Sequence, residues 1–378
     1  MSSKKRAFPI PWSLLIYGSL LLVLIVVSFT YRIYINQHPP KTYQETLKPI
    51  TENPEPEKTV EVGLLIDNLY IFEAEKKMFD ADGWIWLKWP PQLQQKMIKK
   101  GMTPQDLFVF FNQVDDWDSM LTPSSEQPLK MSDGRYYQKF RFSGHFYVNK
   151  LDFRTYPFHA IKLPIVLELL SDKLMGPGNT LDIRLDESHS GLGAYIDLSG
   201  YFTKGFDFKR YYHESAHSMS EPGSNDGPKQ VPQARMEITY QKAPVTTVLK
   251  IILPLITVMI LTLFSPSISS AGWDVRLSIP PTSILTLIFL QQTYESWLPE
   301  LPYLTFLDTL YNVCYFANLS LFGLFLWGSN ELSAASEADK PSVTAKVDRI
   351  DTLFQIGLTL LIAIMATLNW YVLSHQAD

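Results

Sequence analysis

The chain has 378 residues, enough for two domains, and its 33 Lys and Arg against 38 Asp and Glu give a formal net charge of -5. That balance gives no basis for a nucleic-acid partner, which calls for a basic patch. A single cysteine excludes an intrachain disulfide, so an extracytoplasmic domain must stand on its own core. The 46% of hydrophobic residues is ordinary in amount but clumped along the chain, so the average hides membrane segments.

Lys4, Lys5 and Arg6 precede Trp12 to Thr30, a run of about 19 residues without a charge. The run is longer than the apolar region of a usual signal peptide, and no small-x-small cleavage site follows before Tyr31 and Arg32. Residues 1–32 are therefore read as an uncleaved signal-anchor helix, with a cleaved signal peptide as the alternative. The basic leader predicts a cytoplasmic start and an external position for the chain beyond the anchor. Residues 33–58, poor in apolar side chains and carrying Pro39, Pro40, Pro49, Pro54 and Pro56, read as a linker.

From residue 59 to 242 the pattern changes to short β-rich runs divided by Gly, Pro, Asn and Asp, among them VEVGLLIDNLYIF, GWIWLKW, IKLPIVLELL and ARMEITYQ. Strands at this spacing predict an all-β, Ig-like sandwich rather than alternating βα units. In RYYQKFRFSGHFYV, Tyr137, Phe140, Phe142 and Phe146 among polar neighbours predict a strand covered on one face. Trp84, Trp86 and Trp89 are expected in one region, with at least one indole in the core.

Residues 243–378 hold four apolar stretches, at about 245–264, 275–294, 304–327 and 353–372, each long enough to span a bilayer. Lys340, Lys346 and Arg349 lie in the longer connection between the last two, whereas the turn after the second has Glu295 and Glu300 and no base. The positive-inside rule thus agrees with the leader and predicts five spans with the carboxyl terminus outside.

The second stretch is unlike an anchor. Asp274, Ser278, Thr282, Leu285, Phe289, Gln292 and Ser296 recur at helical spacing and make a stripe polar at both ends and apolar in the middle. Such a stripe suits a water-filled lumen pinched by a hydrophobic gate, and it equally suits a helix buried in a polytopic bundle. Pro280 and Pro281 predict that the regular helix starts there or kinks, because proline is at ease only in a first turn. Elsewhere, His213-Glu-Ser-Ala-His217 reads HExxH, a zinc motif when it lies on a stable helix. Here it follows the strand-like FDFKRYY and is cut off by Glu221-Pro222-Gly223, so His213 and His217 are weak metal candidates and Glu214 a remote catalytic one.

The segment LDFRTYPFHAIKLPI, residues 151–165, resembles the interface loop of the pentameric ligand-gated ion channels (Cys-loop receptor superfamily), in its cysteine-free prokaryotic type. Asp152, Tyr156, Pro157 and Phe158 match that loop, and His159 stands where an Asp is usual. DADGWIWLKW resembles the aromatic second strand, IILPLIT the first pore-domain helix, and LPELPYLTFLD the loop opening the third helix. The likeness runs in order from about Val60 to Leu373. It implies a homopentamer in a bacterial inner membrane, with a periplasmic β-sandwich, a four-helix transmembrane domain and the second helix lining the pore. It further implies a channel rather than an enzyme, with no cofactor, passing monovalent cations through rings of Asp274 and Glu295, with Arg276 turned away from the lumen. Leu285 and Phe289 would form the constriction.

A small-molecule agonist or a proton would act at subunit interfaces near Trp86, Phe111, Asn112, Phe206 and Tyr211 and in the loop between Met219 and Val231. Gating would pass between the interface loop and the Leu298 to Tyr303 turn with Pro299 and Pro302. The family's Asp and Arg pair is replaced by His159 and Lys242, which cannot form the same bidentate contact. A non-conducting membrane sensor on the same fold is the alternative, and a membrane zinc protease using His213, Glu214 and His217 the remote one.

Overall fold

The computed structural model describes residues 46–114, 118–176, 179–215 and 229–374, together with Val23, Val27, Thr30, Tyr31 and Tyr34, which are helical. Two compact units emerge. A strand unit lies within Thr42–Asp152 and Ala160–Ala243, and a helical unit gathers Phe153–His159 with the helices after Pro244.

In the strand unit, β1 (Thr46–Pro49), β12 (Phe202–Ser215), β13 (Lys229–Gln241), β9 (Ala160–Leu169) and β4 (Phe108–Phe110) form one sheet in that order. A second sheet runs β10 (Asp182–Leu185), β2 (Thr59–Glu73), β3 (Met78–Trp89), β8 (Tyr136–Tyr147), β5 (Gln113–Val114). In the same sheet β6 (Met120–Pro123) and β7 (Leu129–Lys130) also pair with β8, and β11 (Gly191–Tyr195) pairs with β2; β10 and β11 run parallel to β2, and the other pairings are antiparallel. The two sheets meet through aromatic pairs: Phe108 with Phe140 at 5.5 Å, Phe110 with Phe142 at 4.9 Å and with Phe146 at 5.6 Å between ring centroids. Each buried ring contributes about 1.5–3 kcal/mol over leaving it exposed.

Parity decides which side chains reach this core, because successive residues of a strand face opposite sides. On β8 the inward set is Gln138, Phe140, Phe142, Gly144 and Phe146. Tyr137 has the other parity, so the inward place expected for it belongs to Gln138. On β3, Phe79, Ala81, Ile85, Leu87 and Trp89 are buried in the core. Trp84 and Trp86 lie an odd number of steps from Trp89 and take the opposite face, so the three indoles do not share one region. The predicted linker also contains structure: β1 pairs with β12 from Thr46↔Glu214 to Pro49↔Tyr211. Proline is tolerated there because an edge strand need not donate on its outer side.

The helical unit contains α3 (Pro244–Ser267), α4 (Trp273–Glu295), α5 (Phe306–Ala334) and α6 (Lys340–Ser374), which follow the short helices α1 (Pro91–Lys100) and α2 (Ser171–Met175) of the strand unit. Among the described residues three helices are long and apolar enough to cross a membrane: Pro244–Ser267, Phe306–Ala334 and Lys340–Tyr371. The protein is thus membrane-associated. Helix α4, with 23 residues, is long enough but too polar along one stripe to qualify by composition.

Two boundaries differ from expectation. Helix α4 begins at Trp273 and runs through Pro280 and Pro281, which therefore do not start it. Their missing N–H groups deprive only the carbonyls of Arg276 and Leu277, near the amino end. Helix α6 starts at Lys340 with Pro341 in its first turn, where proline fits, so most of the connection between the last two stretches is helical and the break is confined to 335–339. In α3, Pro254 cannot donate to Lys250, and the backbone widens to a π turn over Val248–Ile252 just before it.

Candidate functional site

The rotation of α4 about its own axis is set by polar anchors on one side. The Arg276 guanidinium donates to the Asp351 carboxylate of α6, with side chains only 3% and 0% exposed, and lies 4.4 Å from the centre of the Phe325 ring. Two turns further along the same face, Thr262 of α3 donates to Ser283 at 2.7 Å, and beyond it the Tyr294 hydroxyl donates to the Asp308 carboxylate of α5. Residues 276, 283 and 294 fall within about 20° of one another's direction at 100° per residue. The buried set of α4 is the same stripe: Arg276, Pro280, Ser283, Leu287 and Tyr294.

The sequence-predicted stripe therefore faces away from the anchors, at about 160–240° from Arg276. Asp274, Ser278, Thr282, Leu285, Phe289, Gln292 and Ser296 are all exposed, and Glu295 is exposed at the edge of the stripe. Ile288, beside that stripe, is exposed as well, whereas Leu287 is buried. Ser278 and Thr282 donate to the carbonyls of Val275 and Ser278 at 2.8 and 2.9 Å. Each hydroxyl is thus satisfied within the helix while its oxygen can still accept from outside.

The predicted interface loop separates into two groups. Phe153–His159 lies with the helical unit, with Tyr156–Pro157 as a cis peptide. The backbone N–H of Phe153 donates to the Tyr303 hydroxyl at 3.0 Å, and that of Phe306 to the Arg154 carbonyl at 2.8 Å. Tyr156 is buried and stacks on Tyr294 at 6.1 Å, and burial pushes its phenol up to about 12. Phe158 meets Trp370 edge-on at 5.5 Å. His159 is buried against the rings of Phe153 and Tyr156, at 4.7 and 5.3 Å. Of the turn prolines, Pro299 is half-buried and Pro302 exposed. Asp152 and Lys242 belong to the strand unit; Lys242 lies 5.5 Å from the Tyr201 ring centre, and burial lowers its pKa. Tyr294 and Trp370, both outside the predicted contact set, are part of this aromatic cluster. Tyr294 shares the helical direction of Arg276, which is the signal that could have found it.

The ligand candidates are dispersed over the strand unit. Trp86 is buried on the outward face of the second sheet, lies against Gly63, and donates its indole N–H to Asp186 at 3.0 Å. Asp186 also takes Lys88 Nζ at 2.8 Å and sits 2.7 Å from His189. Burial works against its charge, but the hydrogen bonds from Lys88, His189, Trp86 and Ser188 outweigh it and hold the carboxyl well below the usual range. Phe206 and Tyr211 lie five residues apart on β12 and so take opposite faces. Phe111 and Asn112 come together in the turn after β4, and Phe111 packs on His213 with 4.9 Å between ring centres.

His213 itself is a strand residue. It faces Glu168 with 2.9 Å between Nδ1 and Oε1, and Gln233 donates to the same oxygen at 2.5 Å. A strand turns His213 and Glu214 to opposite sides, and Glu214 is bonded by Lys48 and Gln230, so the helix that HExxH chemistry requires is not formed at these residues. His217 and most of the Met219 to Val231 loop lie outside the described residues. Among the described residues no group of three metal-ligating side chains is present. Glu168, Gln233 and Asp186 carry no local signal of a role, because the groups they meet are remote in sequence.

Comparison of the sequence with protein-family models and with curated proteins finds no match.

Proposed function

We propose that the chain is one subunit of a homopentameric ligand-gated ion channel of a bacterial inner membrane, with an Ig-like periplasmic sandwich, a four-helix transmembrane domain and an amino-terminal anchor. The observation that carries this reading is the exposed stripe of α4, polar at its ends and apolar at Leu285 and Phe289, lying opposite the buried anchors Arg276, Ser283 and Tyr294. A polar stripe turned away from its own helical unit meets lipid in a lone subunit, at high cost, and meets water around a shared lumen. Burial of Arg276 against Asp351 removes the base from that surface and leaves the Asp274 carboxylate as the charge at the stripe's start, which favours cations. Agonist or proton binding in the strand unit would open the pore by preferring the open state, with the aromatic cluster around Tyr156 and Tyr294 receiving the change.

The test is recording from the full-length protein in planar bilayers across a ligand and pH screen. Cation-selective unitary currents are expected, with Asp274→Asn lowering cation over anion permeability and Leu285→Ala shifting the opening threshold. Absence of currents throughout the screen favours the non-conducting sensor, and currents indifferent to both substitutions refute the assignment of the α4 stripe.

A further inference from the structure

At the end of the helical unit where α4 begins, the connection from α3 is held against α6. Ser270–Gly272 forms a single 3₁₀ turn that leads directly into Trp273. The backbone N–H of Ser270 donates to Asp348 Oδ1 at 2.9 Å, and the Arg276 guanidinium donates through Nη2 to Asp351 Oδ2. Asp348 and Asp351 stand three residues apart on α6, so they are neighbours on one face, about 4.5 Å along the axis. The turn and the first coils of α4 are thus tied to one patch of α6. Apolar groups close the patch. The Phe325 ring lies 4.4 Å from the guanidinium carbon, and Val347, one turn before Asp351, is buried so close to Gly328 of α5 that a Cβ there would meet it at 3.0 Å.

Three side-chain atoms of this patch, Arg276 Nε, Asp351 Oδ1 and Ser270 Oγ, are sealed from solvent and have no hydrogen-bond partner among the described residues. Ser270, Arg276 and Asp351 are 1%, 2% and 0% exposed. Buried polar atoms are nearly always paired, so three orphans at one joint call for an explanation. Their kinds are complementary. Nε–H only donates, a carboxylate oxygen only accepts, and a hydroxyl does either. Nε and Oδ1 belong to the two groups that already touch through Nη2 and Oδ2, so both flank a single contact.

We propose that Arg276 Nε, Asp351 Oδ1 and Ser270 Oγ share one bound water molecule, which accepts from Nε, donates to Oδ1 and makes its third bond with the Ser270 hydroxyl. Three bonds are the usual number for a buried water. An ion does not fit the same atoms. The Arg276 and Asp351 charges already cancel, so a cation or an anion would be a buried charge without a counter-charge. An anion would also face Asp351 Oδ1, and an ammonium would offer Nε no acceptor. The water extends the ion pair that seats α4 to the turn before it, and makes Ser270 a positioning residue. The inference lies within the helical unit and does not rest on the channel reading.

The test is an electron cryo-microscopy map of the full-length protein in nanodiscs, at a resolution that shows ordered water, together with thermal unfolding of Ser270→Ala. A peak is expected at about 2.7–3.2 Å from each of the three atoms. The unfolding arm turns on sign. A hydroxyl buried without a partner is a burden, and removing it raises the melting temperature; a hydroxyl bonded to the water contributes, and removing it lowers the melting temperature by about 1–6 °C. A direct bond from Nε to Oδ1 with no peak beside it, or Ser270→Ala melting at or above the parent, overturns the proposal even if channel currents are found. Absence of currents with the peak in place overturns only the channel reading.

Discussion

Replacing Asp351 by Ala is the most exacting perturbation of the helical unit. Asp351 is fully buried and holds the Arg276 guanidinium, which is itself buried and pressed on the Phe325 ring. Removing the carboxylate leaves a cation enclosed without its counter-charge, which costs about 3–5 kcal/mol. At about 2–4 °C per kcal/mol for a unit of this size, the melting temperature should fall by about 6–20 °C. The double replacement Arg276→Met with Asp351→Leu removes the charge together with its partner and should recover most of the loss, because a buried pair is often no better than apolar residues of similar volume. The assay is thermal unfolding of purified protein in one detergent, followed by far-UV circular dichroism for the parent, both single variants and the double. A drop below about 1 °C for Asp351→Ala, or a double variant no better than the singles, refutes the claim that this pair sets how α4 is seated. Asp274→Asn serves as the control on the exposed side, where a charge change should move the melting temperature by a degree or two at most.

Two further outcomes concern the strand unit. The carboxyl of Asp186 is held below its ordinary 3.8 in the folded state, so its contribution is complete above that value and is lost as pH falls through the folded pKa. Asp186→Asn should therefore lower stability at neutral pH, and the difference from the parent should shrink in acid denaturation below about pH 4; a difference constant with pH contradicts the network. Gly63→Ala would drive a Cβ into the Trp86 ring, so the indole must leave and its bond to Asp186 breaks. The orphaned carboxylate and the displaced ring together should cost about 2–4 kcal/mol in denaturant unfolding, and an unchanged midpoint contradicts the close approach.

Periodicity alone made much of this chain legible. The stripe on α4 is set by its spacing of three and four, and each of its positions from Asp274 to Ser296 is exposed, although Val275, Pro281, Thr286, Ile288 and Thr293 beside it are exposed as well. The β runs likewise announce themselves by parity, and most inward aromatics of β8 follow from their numbers. Errors arose where a local rule met a remote partner. Polar β1, with Pro49, reads as linker until β12 is beside it, and Pro280 and Pro281 read as a helix start until the first turns of α4 are seen to tolerate them.

The site chemistry divides along the same line. HExxH is a statement about a helix, and at His213 the ladder with β13 decided for a strand, turning His213 toward Glu168 and away from a metal. Nothing within β9 or β13 says that Glu168 and Gln233, or Val166 and Arg235, stand opposite each other, because register is fixed by pairing across about 65 residues of chain. Nor does any local signal name Asp351, 75 residues later, as the partner of Arg276. Local sequence determined the periods and faces, since these depend only on backbone geometry. Which face is buried, and which charges meet, was decided by contacts that exist only once distant segments have been brought together.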